Sequence, residues 1–132
     1  MFLVFRKILM VTTLFVFLIG CKKKLFDYRN KYIGSYEFIL HRHTWTMGIG
    51  EADTTFYYSG EVSYGDKGKI TIDWFDHDKL QFEVNKDGEI RVCHQQIGKF
   101  SKKSVNLSFD DDICGSGPNG ANTVFTLNGT KK

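Results

Sequence analysis

The chain has 132 residues, of which 42% are hydrophobic and 25% charged, with a formal net charge of +3 and a single proline. That length suits one domain with one modest core. Charge this nearly balanced, with no basic stripe, argues against nucleic acid as a partner, because phosphate contact needs clustered cations.

The first element is an export signal. Arg6 and Lys7 form a positive n-region, and Ile8 to Gly20 is an apolar run of 13 residues. A membrane-crossing helix needs about 20 apolar residues; this run has the length of a signal-peptide h-region and is expected to be a short helix. Leu18-Ile19-Gly20-Cys21 resembles a bacterial lipobox. The resemblance implies cleavage before Cys21, a diacylglyceryl group on its sulfur and a lipid-anchored envelope protein. Residues 1–20 are then the signal peptide, 21–30 a lipidated tether and 31–130 a single β domain. Stable anchoring needs more than one acyl chain, and the bacterial lipoprotein pattern supplies three. Lys22, Lys23 and Lys24 would sit among the headgroups, where each cation near an anionic surface contributes about 1 kcal/mol. Lysine rather than aspartate after the cysteine resembles the sorting pattern for the outer membrane, facing the periplasm or the cell surface. Removing residues 1–20 takes away two cations and no acid, leaving 16 basic and 15 acidic side chains.

From Tyr32 onward the hydrophobic period is two, the signature of strands. Tyr36, Phe38 and Leu40 alternate with Ser35, Glu37 and Ile39. Phe56, Tyr58, Val62 and Tyr64 share one face of the next run. Ile70, Ile72 and Trp74 follow, then Leu80, Phe82 and Val84. Asn85-Lys86-Asp87-Gly88 is a tight-turn sequence in which Gly88 supplies the positive φ, and Ile90 and Val92 return from it. Runs around Ile97–Ser101, Ser104–Phe109 and Thr123–Asn128 bring the count to eight. Consecutive strands on short connections form an antiparallel meander. Eight of them close into a small barrel, which removes exposed edges, or flatten into a two-sheet sandwich. The inward aromatics favour a packed interior over a ligand cavity.

Lys31-Tyr32-Ile33-Gly34-Ser35-Tyr36, Asn85-Lys86-Asp87-Gly88-Glu89-Ile90 and the closing Leu127-Asn128-Gly129-Thr130-Lys131, together with the signal and Cys21, resemble the small lipocalin-like lipoproteins of Gram-negative bacteria. The resemblance implies a barrel fold and an envelope location, and transfers no catalytic residue.

A meander sorts its connections between two ends. The tether, the turns near Gly65, Asn85 and Lys102, and the C-terminus fall at one. The connections Thr46–Asp53, Asp76–Asp78, His94–Gln96 and Asp110–Gly120 fall at the other, which a lipid at Cys21 would point away from the bilayer. Loops on a rigid scaffold are where binding sites sit. The candidate binding residues there are His43, Trp45, Asp76, His77, Asp78, His94, Asp110, Asp111 and Asp112. Cys93 and Cys114 occupy neighbouring connections at this end and are the two thiols left once Cys21 is lipidated, so in an oxidising compartment they are candidates for a disulfide; two unpaired thiols are the alternative. No histidine or aspartate spacing matches a zinc or calcium loop, and no cofactor motif occurs. No nucleophile motif occurs either, and Glu37 and Glu61 face outward by parity, so no enzyme is indicated. The expectation is a non-enzymatic binding module for a protein, a glycan or a small apolar ligand. The alternative is an inhibitor of lysozyme-type enzymes, because Ser59-Gly60 faintly resembles the Ser-Gly segment of small lipoprotein inhibitors.

Overall fold

In the computed structural model, which describes residues 26–115 and 121–132, period-two patterning becomes eight strands. They are β1 (Gly34–Thr46), β2 (Gly50–Tyr64), β3 (Lys69–Asp73), β4 (Lys79–Val84), β5 (Glu89–Val92), β6 (Gln95–Phe100), β7 (Ser104–Asp110) and β8 (Ala121–Lys131). Every pairing is antiparallel, and β8 returns to β1 to close a barrel in simple meander order. The barrel, rather than the sandwich, is the fold. The signal segment, Cys21 and Lys22–Lys24 lie outside the described residues.

Alternation decides what fills the barrel. Tyr36, Phe38 and Leu40 of β1 point inward and are essentially inaccessible, as are Ile70, Ile72, Ile90, Val105, Leu107 and Leu127. Two glycines make room for this filling. Gly129 lies opposite Phe38, and a Cβ there would stand 2.6 Å from the Phe38 ring and from Val105 Cγ1. Gly98 lies opposite Leu107, and a Cβ there would meet the Asn106 carbonyl oxygen at 2.1 Å. Tyr36 stacks on Phe38 and donates its hydroxyl to the Tyr32 carbonyl at 2.8 Å. Burial pushes the Tyr36 phenol up to about 12, since the interior disfavours its anion.

The folded unit begins before residue 31. Residues assigned by sequence to the tether form a 3₁₀ turn, Tyr28–Lys31, capped by the Asp27 side chain, and this turn plugs the end of the barrel where the chain arrives. Its bolt is Arg29, 5% exposed. The guanidinium takes the Asp27 carboxylate with Nε and Nη2, at 3.0 and 2.6 Å, and gives Nη1 to the carbonyls of Asp66 and Lys69. The carboxylate holds the Arg29 pKa above its ordinary value. Each of the three guanidinium nitrogens thus finds an acceptor and the charge finds a counterion, the condition under which a buried cation is tolerated.

Wall height is uneven. β1 and β2 run for 13 and 15 residues, whereas β3 to β6 run for four to six. At about 3.3 Å per residue, the β1–β2 wall stands more than twice as tall as the wall opposite. The barrel is therefore closed at the end holding the 3₁₀ plug, and slants open at the other.

Candidate functional site at the open end

The open end has three parts: an unpaired strand edge, an aromatic mouth and a clamp of two turns. The edge comes from the mismatch in length. β3 pairs with β2 only through Val62, Ser63 and Tyr64, so among the described residues Gly50–Glu61 have β1 as their one partner strand. The orientation of the free groups follows from ladder alternation. Gly65 donates its N–H toward β3, to the Lys69 carbonyl, and Glu61 donates its own to Asp73 Oδ2 at 3.0 Å. Odd-numbered residues of β2 therefore turn their backbone polar groups away from β1. Asp73 supplies the last rung with its side chain, and its backbone carbonyl accepts the Tyr58 hydroxyl at 3.2 Å. Beyond that point alternation leaves the N–H and C=O groups of Asp53, Thr55, Tyr57 and Ser59 facing away from β1, with no partner strand among the described residues. A notch of about 150 Å³, walled by Tyr58, Ser59, Asp73, Trp74, Phe75 and Lys79, lies where β2 and β3 part.

The mouth is the inward face of the tall wall together with the β3–β4 turn. Phe56 stacks on Phe75 at 4.2 Å, and Trp74 packs against Phe75, Phe109 and Phe125 at 5.8–6.3 Å between centroids. These rings are half-buried apart from Trp74, which is buried. Arg42 lies over them, its guanidinium carbon 5.3 Å from the Phe56 centroid and 6.0 Å from that of Phe75. The contact is cation–π, of the kind that contributes roughly 0.5–1 kcal/mol where water still reaches the cation.

The sequence singles out His43 beside Arg42, and parity explains why the arginine is the residue at the mouth. Tyr36, Phe38 and Leu40 face inward, so Arg42 does too, while His41 and His43 face outward. His41 bonds Thr55 across the outer wall, and His43 Nδ1 lies 2.8 Å from Asp53 Oδ1. The Asp53 bond raises the His43 pKa above its ordinary value. Trp45 is also on the outer wall, 45% exposed, near the hairpin tip where Met47 and Ile49 stand in solvent. The expected connection Thr46–Asp53 is shorter than its sequence suggests: both strands run on, leaving Met47–Ile49 as the turn.

The clamp joins two connections. Cys93 and Cys114 are at disulfide distance, with Cα atoms 5.6 Å apart. Cys93 and His94 form the two-residue β5–β6 turn, both with left-handed φ (46° and 68°), the geometry hairpins of this length require. Cys114 belongs to the β7–β8 connection, which Asp111 ties back by accepting the Thr123 N–H. Asp76, His77 and Asp78 form the β3–β4 turn, with Asp76 accepting the Asp78 N–H. The sequence candidates are thus gathered at one end: His43 and Trp45 stand on its outer wall, Asp110 ends β7, and the rest lie on its turns. Among the described residues no three His, Cys, Asp or Glu side chains come within metal-binding distance of each other.

Charge is sorted between the ends. The turns at the closed end carry Lys31, Lys67, Lys86, Lys102 and Lys103 against Asp66 and Asp87, while Arg29 is paired with Asp27 and the C-terminal Lys132 with Glu37. The open end carries Glu51, Asp53, Asp76, Asp78, Asp110, Asp111 and Asp112, while its lysine, Lys79, is paired with Asp73 at 3.2 Å. Comparisons of the chain with protein-family models, curated proteins and solved structures find no match.

Proposed function

We propose that this chain is a lipid-anchored envelope protein without catalytic activity, which binds a protein partner at the open end by adding an extended segment of that partner to β2. The observation that carries the reading is the free edge of β2. Unpaired backbone groups in a strand template the addition of another, and strand addition is a recurring mode of peptide recognition. The main chain would supply affinity, and the acidic side chains beside the edge would select a basic segment. The disulfide and the rigid wall support the reading by limiting the ordering that binding must pay for. The Leu18-Ile19-Gly20-Cys21 pattern supports anchorage, since the chain reaches the barrel at the end opposite this edge.

The test is affinity capture from the native envelope using the secreted chain with Cys21→Ser, alongside Thr55→Pro, which deletes an edge-facing N–H. A partner retained by the first and lost by the second is expected, with its retention weakening in salt. Equal retention by both would overturn strand addition.

The acidic rim also suits a basic cell-wall hydrolase, which keeps the inhibitor reading alive. Ser59 sits mid-strand with its hydroxyl held by Glu37 at 2.9 Å, so the Ser-Gly pair is not offered on a loop. Stoichiometric loss of lysozyme turnover would favour that reading, and full turnover at excess protein would exclude it.

A further inference from the structure

We infer that the closed end of the barrel is a second interaction surface, one that lies directly on an anionic lipid bilayer. This goes beyond partner binding at the open end and does not depend on lipidation of Cys21.

Charge, shape and one exposed ring combine at this face. Lys31, Lys67, Lys86, Lys102 and Lys103 ring this end, all solvent-exposed, and none forms an ion pair with a described residue. Between them the face is hollowed rather than convex. A cleft of about 470 Å³ is walled by Tyr28, Lys67, Lys69, Val84 and Lys86, and a second hollow of about 220 Å³ by Lys31, Tyr32, Phe100 and Lys102. Acids are present too: Glu83 and Glu89 line the cleft, with Glu89 neutralised by Arg91 at 3.2 Å, and Asp87 lines the second hollow. Lysine is a compact charge on a flexible stem, suited to following mobile phosphates rather than fixing one. Phe26, 99% exposed, projects where the chain leaves the barrel. An aromatic ring beside lysines is the pattern of groups that settle at the boundary between headgroups and acyl chains.

A bilayer, rather than another acidic macromolecule, is the occupant because of where the chain leads. Lys22, Lys23 and Lys24 stand one residue, Leu25, before Phe26, so the same cationic character continues in the sequence that leads to this face. The sorting of charge adds direction. The acidic open end would be repelled by an anionic surface that attracts the closed end, which orients the β2 edge away from the membrane.

The barrel and its plug lie within residues 27–132, so a chain beginning at Leu25 retains the surface while omitting both the lipid and the three tether lysines. Flotation with vesicles of phosphatidylglycerol and phosphatidylcholine, against phosphatidylcholine alone, is the experiment. Binding is expected only to the anionic vesicles and should weaken steeply with salt. Each lysine near such a surface contributes roughly a fivefold factor, so Lys67→Gln, Lys86→Gln, Lys102→Gln and Lys103→Gln together should reduce partitioning by about 100-fold or more. Phe26→Ser, at a position too exposed to affect folding, should weaken it several-fold. Orientation is read separately: Trp45 at the far end should keep its fluorescence on vesicles carrying brominated acyl chains. Equal binding to both vesicle types, a quadruple variant that floats like the parent, or quenching of Trp45 would each overturn the inference. None of these results depends on whether β2 accepts a strand.

Discussion

The two ends of this barrel are built from the same strands yet solve opposite problems. At the closed end every strand has two neighbours and the 3₁₀ plug fills the opening. Arg29 there gives a second hydrogen bond to the carbonyls of Asp66 and Lys69, which also accept the N–H groups of Lys69 and Gly65. At the open end β1, β2 and β8 continue beyond the strands opposite, and one edge of β2 is left without a partner among the described residues. Stability is therefore concentrated at one end, while hydrogen-bonding capacity is left over at the other. The lesson is that a meander of unequal strands need not be uniform: the length of the shortest strands fixes where closure stops.

Substitutions can break that contrast. The largest effect is expected at the closed end. Phe38→Ala should cost about 3–5 kcal/mol, and Asp27→Ala should cost about as much by leaving the buried Arg29 cation uncompensated; urea denaturation reads both. Next comes the clamp. Cys93→Ala with Cys114→Ala should cost about 3 kcal/mol, the chain-entropy value for a loop of roughly twenty residues. Amide protection should fall mainly in the β5–β6 and β7–β8 connections, with the closed end unaffected. A pair of prolines then sharpens the comparison within one strand. Phe56→Pro removes an N–H that pairs with β1 and should cost about 3 kcal/mol or more, whereas Thr55→Pro removes one that faces solvent and should cost about 1 kcal/mol or less. Similar losses at both positions would mean the edge is not free.

The smallest effect is the titration of His43. Asp53 raises its folded-state pKa, so any stabilisation is fully present below the ordinary histidine pKa and is lost as pH rises through the raised value. The pair is solvent-exposed, so the consequence is read by NMR titration of the imidazole: Asp53→Asn should return its midpoint toward the ordinary value. An unchanged midpoint would show that the bond is not formed in solution.

Period-two alternation made all eight strands legible, and chain order made the two ends legible, because both are local properties. Arg42 was legible too, in the parity of Tyr36, Phe38 and Leu40, but the flanking histidines carry a stronger chemical signal and point to the wrong face. The plug was not: Asp27 to Asn30 read as polar tether, and nothing local says that Arg29 will be buried by carbonyls some forty residues away. The open edge was least accessible. It depends on where β3 stops relative to β2, a difference in length between two strands rather than a property of either. Glu51 and Asp53 are its one sequence trace, charged residues of the kind that guard exposed edges against unwanted pairing.

Amide hydrogen exchange along β2 tests the central claim most directly. The open edge requires Asp53, Thr55, Tyr57 and Ser59 to exchange rapidly while Thr54, Phe56 and Tyr58, bonded to β1, stay protected. Uniform protection from Asp53 to Ser59 would show that the edge is already paired and would remove the basis for strand addition there.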